Sequence, residues 1–290
     1  MTHQDKLNSY KMFTDSALHI AVKLEPGVVG EALRYSLLGG GKRVRACLAL
    51  AACEMLCGDA ARAIEAACAV EMLHCYSLIH DDLPCMDDDD FRRGKPSCHK
   101  AYGEATALLA GDSLLTKAFE QLGEIIDVDA AYRCVQLLSK AAGGRGMIYG
   151  QELDIAGAAS AQDVRAALDQ INSLKTGCLI EAAVLMGAAC AGCADDETLA
   201  ALSVYARNIG LVFQIVDDVL DETATLEQLG KLTGSDKNND KVTYASLLGV
   251  SAAMQAAEEL TEQACNVLLP FGDRAAFLTQ FAKQLLCRKN

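Results

Sequence analysis

"AVEMLHCYSLIHDDLPCMDDDDFRRGKP", residues 69–96, passes from an apolar run into six aspartates and then into three cations. The aspartates are Asp81, Asp82, Asp87, Asp88, Asp89 and Asp90, and the cations are Arg92, Arg93 and Lys95. The apolar part has helical periodicity from about residue 61 to residue 83, so the first carboxylates fall at a helix C-terminus. That end carries partial negative charge and disfavours further anions. Six like charges also repel, and desolvating any of them is costly. Carboxylates in this position imply either bulk water or a strongly positive partner.

The rest of the chain repeats the helical signal. Its prolines are Pro26, Pro84, Pro96 and Pro270, with none from 97 to 269. Alanine and leucine abound, and no segment sustains a β-branched alternation. Periodic segments cover roughly 43–57, 61–83, 101–122, 161–191, 196–222 and 251–268. Breaks at "LLGGGK", "AAGGRG" and "LGKLTGSDKNNDK" are too short for interdomain linkers. The expected architecture is all-α: a single domain over 1–290, a bundle of about ten or more helices around one core.

A second acidic group ends another apolar helix, in "GLVFQIVDDVLDE". Asp217 and Asp221 share a helix face, Asp218 adjoins them, and Gln214 lies one turn back. Carboxylates without histidine or thiolate at ligand spacing suit a hard cation such as Mg²⁺, which fills its shell with water and phosphate oxygens. The two clusters together read as a diphosphate clamp. Cations are placed to match. Lys42 and Arg45 follow Gly39–Gly41 at a helix start, an expected anion site. Lys175-Thr176-Gly177 interrupts the 161–191 helix, and Lys231 follows the second acidic group.

Composition narrows the field. The formal net charge is −13, which excludes general nucleic-acid binding. The 13 cysteines have no spaced framework and read as small buried hydrophobes in a reducing cytoplasm. The N-terminus lacks the apolar core of a secretory signal. The most apolar run, 178–194, is short and carries Glu181, so it reads as a buried helix and not as a membrane span.

"LIHDDLPCMDDDDFRRGKPSCHKAYGEATALLAGDSLL" and "GLVFQIVDDVLD" resemble the two aspartate-rich motifs of the trans-isoprenyl diphosphate synthases. "GGGKRVR", "GQELDI", "LKTGCLIEAAVLMGA" and "GKLTGSDKNNDKVTYASLLG" resemble that family's other blocks, in its order, across roughly 30–250. The nearest type is bacterial farnesyl diphosphate synthase. The resemblance implies the isoprenoid synthase fold, all-α with a central apolar cavity, and a homodimer. It implies a prenyltransferase that joins isopentenyl diphosphate to dimethylallyl and then geranyl diphosphate, with three Mg²⁺ ions bridging the allylic diphosphate to both motifs. The family pattern puts the first ligands on Asp81, Asp82 and Asp87, whereas ideal helical spacing from Asp81 favours Asp88. On the second motif it points to Asp217, supported by Asp218 and Asp221. Arg92, Lys175 and Lys231 would hold the allylic diphosphate; Lys42, Arg45, His74 and Arg93 the isopentenyl diphosphate. Thr176 and Gln214 would lend oxygens near the allylic cation. Tyr76, with Ser77 beside it, would floor the cavity and set a fifteen-carbon product. A geranylgeranyl diphosphate synthase is the rival within the family. A class I terpene cyclase would not need the second motif with its following lysine, and a non-catalytic subunit would not need both motifs intact.

Overall fold

Why these residues form helices is clearest at α4 (Ile64–Asp81). Every residue from Ala66 to Leu73 is buried, Glu71 included. A helix apolar on all sides belongs inside a protein, and alanine and cysteine at many of these positions let neighbouring helices approach closely. The computed structural model describes residues 2–159, 161–223 and 242–288. Its Cα packing separates two compact units, Met1–Gln136 with Met186–Gly192, and Leu137–Leu185 with Cys193–Asn290.

In the first unit α1 (His3–Ala21), α2 (Gly27–Leu37), α3 (Val44–Cys57) and α6 (Glu104–Leu122) surround α4. The helix α1 opens with a capping box, Thr2 and Asp5 each bonding the other's backbone amide. Leu48 and Leu50 of α3 and Met72 and Leu73 of α4 are fully buried, each contributing about 1.5–3 kcal/mol by leaving water. Between α4 and the short α5 (Cys98–Tyr102) lies a ribbon the periodicity does not announce, β1 (Phe91–Arg92) antiparallel to β2 (Lys95–Pro96). The helix α7 (Val128–Ala142) follows α6.

The second unit contains α8 (Met147–Ala156) and α9 (Val164–Asn172). A π-helical turn, Ser173–Gly177, joins α9 to α10 (Cys178–Cys190). The long α11 (Asp196–Thr223) packs on α13 (Val250–Asn266) and α14 (Ala276–Leu286), with the short α12 (Tyr244–Leu248) between. Tyr205 of α11 is fully buried, and its hydroxyl donates to the Leu278 carbonyl at 2.9 Å. Val164–Cys190 and Asp196–Thr223 are long and apolar enough to cross a membrane. Here they bury Leu179, Ile180 and Val184, and Ile209, Val212 and Ile215, inside the protein.

Candidate active site

Both acidic groups stand where helices end: α4 stops at Asp81, and Asp217, Asp218 and Asp221 occupy the last turns of α11. After Asp81 the chain cannot stay helical, because Pro84 has no N–H to give. It folds back instead. The Asp87 amide donates to the Asp81 carbonyl at 2.9 Å, and the Asp88 amide donates to that of Leu83 at 3.2 Å. Asp81 and Asp87 are thereby neighbours through a closed loop. Helical spacing favoured Asp88 only by assuming a helix that has already stopped. Asp88 instead lies 3.8 Å from the His99 imidazole. The oxygen-only donors of Asp81 and Asp87 fit a hard divalent ion.

Asp82, read from sequence as a third ligand, does other work in this structure. It is buried and grips Arg92, whose Nε donates at 3.0 Å and whose Nη2 donates to the same carboxylate. Burial pushes the Asp82 carboxyl up, against the pull of Arg92. Arg92 Nη2 also reaches Asp89 at 3.1 Å. The pair fixes the guanidinium in the wall of a cleft. Arg92, Arg93 and Lys95 line its polar side and Cys75, Leu78 and Ile79 its apolar side.

Arg93 lies flat on the glycine run. Its Nη1 donates to the Gly40 carbonyl, and a Cβ on Gly41 would meet its guanidinium at 3.0 Å. Gly41 has φ +130°, which disfavours a side chain for a second reason. The glycines thus make room for an arginine. At the helix start beyond them the Ala46 amide donates to the Glu71 carboxylate at 3.2 Å. Glu71 also faces Arg43, which sits in the left-handed region at φ 51° and donates to Asp15 and to the Leu37 carbonyl. Arg43 is therefore the structural pin of this corner. Lys42 is exposed beside it. Arg45 differs from Arg43: its Nε is buried with no hydrogen-bond partner. Burial holds His74 well below its ordinary value, and Arg45, Arg93, Arg92 and Arg43 push it the same way. Its imidazole is neutral at neutral pH.

Tyr76 is buried on α4, its ring edge-on to His80 at 5.6 Å, and it does not line the cleft. The Ser77 hydroxyl donates to the His74 carbonyl at 2.9 Å.

In the second unit the π-helical turn carries Lys175 and Thr176. Such turns recur at functional sites because they shift side chains out of helical register. Lys175 Nζ donates to Asp154 at 2.7 Å, and Thr176 is buried. Gln214 Nε2 donates to Asn172 Oδ1 at 3.4 Å, tying α11 to the residue before that turn. Asp217 lies 2.8 Å from Arg288, whose guanidinium stacks over Phe213. Asp218, expected to support metal binding, accepts from the Tyr244 amide at 2.8 Å and so anchors the start of α12. Asp221 is half-buried on the same helix. Lys231 lies outside the described residues. Sequence reasoning missed Arg43, Glu71, Asp154, Asn172, Tyr244 and Arg288. Arg43, Asp154 and Tyr244 had a signal, their places in "GGGKRVR", "GQELDI" and "GKLTGSDKNNDKVTYASLLG".

A polyprenyl synthetase family model matches residues 26–267. The chain is 47% identical over 283 residues to geranylgeranyl pyrophosphate synthase 11, chloroplastic, of Arabidopsis thaliana, covering 95% of this chain and 79% of that protein. It is 47% identical over 266 residues to a dimethylallyltranstransferase of Fischerella ambigua (strain UTEX 1903), covering 91% and 77%. Among solved structures, an FPP/GFPP synthase from Zymomonas mobilis superposes with TM-score 0.85 at 34% identity over 98% of both chains. A geranylgeranyl pyrophosphate synthetase from Pyrococcus horikoshii superposes with TM-score 0.88 at 30% identity, over 98% of this chain and 99% of that one. With the aspartate-ended helices, the arginine corner and these likenesses together, the chain belongs to the polyprenyl synthetase family, as a short-chain prenyltransferase.

Proposed function

We propose that the protein makes farnesyl diphosphate, by joining isopentenyl diphosphate to dimethylallyl diphosphate and then to geranyl diphosphate. In each round the allylic C–O bond breaks and diphosphate leaves. The double bond of isopentenyl diphosphate attacks the allylic carbon, and a proton is lost to the departed diphosphate. The observation that carries the reading is the arginine corner. Arg43 has Asp15 and Glu71, and Arg92 has Asp82 and Asp89. Among the described residues neither Arg45 nor Arg93 makes an ion pair with a carboxylate, and the Arg45 Nε is buried and unpartnered. A cationic corner short of anions is the complement of a diphosphate.

In this reading Arg45, Arg93, Lys42 and neutral His74 hold isopentenyl diphosphate. Arg92, Lys175 and Lys231 hold the allylic diphosphate. Asp81, Asp87 and Asp217 hold Mg²⁺, with Asp221 beside Asp217. When bound, Mg²⁺ neutralises the charge that builds on the leaving diphosphate. Thr176 and Gln214 present oxygens to the allylic cation, while the apolar sides of α4 and α11 keep water away. The family model spans residues of both units, which supports one catalytic domain.

Product length is the finer question. Relatives at 43–47% identity mostly bear the name geranylgeranyl pyrophosphate synthase, which argues for twenty carbons. Tyr76 argues for fifteen: it is a bulky, buried ring five residues before Asp81, about 7–8 Å back along the helix. Chromatography of dephosphorylated products from the purified enzyme with isopentenyl and dimethylallyl diphosphates tests it. Farnesol is expected; geranylgeraniol as the main product would overturn the fifteen-carbon assignment.

A further inference from the structure

At the foot of the β1–β2 ribbon three donors converge that the prenyl-transfer site does not use. Asp90 precedes β1 and Ser97 follows β2, and the Ser97 amide donates to the Asp90 carbonyl at 2.8 Å, closing the loop. His99, in the first turn of α5, is only 6% exposed. Its Nδ1 lies 3.0 Å from the Ser97 hydroxyl, itself buried. That contact fixes the ring and turns Nε2 away from Ser97, where it is buried with no hydrogen-bond partner. It faces the carboxylates of Asp88 and Asp90: Nε2 and one oxygen of each lie within 4.8 Å of one another. Asp88 reaches this position from a left-handed backbone, φ 51°.

We propose that Asp88, Asp90 and His99 bind one first-row transition-metal ion, at a site separate from the Mg²⁺ carboxylates. One imidazole with two carboxylates suits Zn²⁺, Co²⁺ or Mn²⁺ better than Mg²⁺, which prefers oxygen alone. Ser97 supplies the hydrogen bond to the far ring nitrogen that orients a ligating histidine. The donors stand wider apart than bonds of about 2.0–2.2 Å require. The two aspartate side chains are 59% and 62% exposed and free to close in, while the buried imidazole is already set. Lys100 Nζ, 2.7 Å from Asp90 and 3.9 Å from Asp88, is the cation that the metal would replace. A bound ion would tie together the two ends of the ribbon that carries Arg92 and Arg93.

The test uses the full chain, stripped with a chelator and titrated with Co²⁺ in a large excess of Mg²⁺, read by ligand-field absorption. One equivalent of Co²⁺ is expected to bind. Asp90→Asn and Asp88→Asn, both at exposed positions that leave the core intact, should each weaken it by about tenfold or more. His99→Gln should do the same, Lys100→Gln should tighten it, and Asp217→Asn should leave it unchanged. Displacement of Co²⁺ by Mg²⁺, indifference to both aspartate substitutions, or loss in Asp217→Asn would each overturn the proposal. The aspartate variants decide the matter if His99→Gln fails to fold.

Discussion

His74 is neutral because burial and four surrounding arginines oppose its protonation, and this has a consequence for acid stability. Its folded pKa lies below the ordinary 6.5. As pH falls through the ordinary value, the unfolded chain takes up a proton that the folded chain refuses. Stability is therefore full above that value and declines below it, by at most about 1.4 kcal/mol per pH unit for this one group. Urea unfolding across this range should show a shallower acid slope for His74→Gln; an unchanged slope would contradict the placement. Tyr76→Ala should cost about 3–5 kcal/mol, as for other buried aromatic truncations, and lengthen the product beyond fifteen carbons. Unchanged length in a folded variant would place the cavity floor elsewhere. At this scale the aspartates were legible because charge at the end of an apolar helix is anomalous. Arg45 was named and Arg43 was passed over, because only the left-handed turn at Arg43 turns it toward Asp15 and Glu71. The Asp82–Arg92 pair was not legible for a similar reason: spacing cannot show that Arg92 returns across a ribbon to grip Asp82.

The close approach of α8 to the π-helical turn sets the position of Lys175. A Cβ on Gly150 would stand 2.2 Å from the Lys175 amide nitrogen and 2.7 Å from its Cα, both of them backbone. Gly150→Ala must therefore separate the two elements, at about 1–3 kcal/mol, and should raise KM for the allylic substrate. Gly144→Ala meets nothing within 4 Å and serves as the control. Equal kinetics in the two variants would contradict this role for α8. The long helices were readable from periodicity almost to their ends: expected 43–57 is Val44–Cys57, and expected 196–222 is Asp196–Thr223. The helices α1, α2, α7, α8, α12 and α14 were not assigned. The ribbon has only two residues in each strand, too few for any alternation to register. The π-helical turn left only the Lys-Thr-Gly interruption as its trace.

On the scale of the whole molecule, the acidic helix ends belong to different units, Asp81 to the first and Asp217 to the second. All-α architecture was legible from the missing prolines and the missing strand pattern, because those are properties of the whole chain. Two compact units were not, because no break is long enough to mark a boundary. The central claim is that the two acidic helix ends act on one diphosphate in one reaction. The most direct measurement is kcat for prenyl transfer at saturating Mg²⁺ in Asp81→Ala, Asp217→Ala and the double variant, with helicity checked by circular dichroism. Each single substitution should lower kcat by about a hundredfold or more. The double variant should lose no more than about tenfold beyond the worse single, since groups that act as a unit are not additive. A single variant within about twofold of wild type, or single losses that simply multiply in the double variant, would contradict the account.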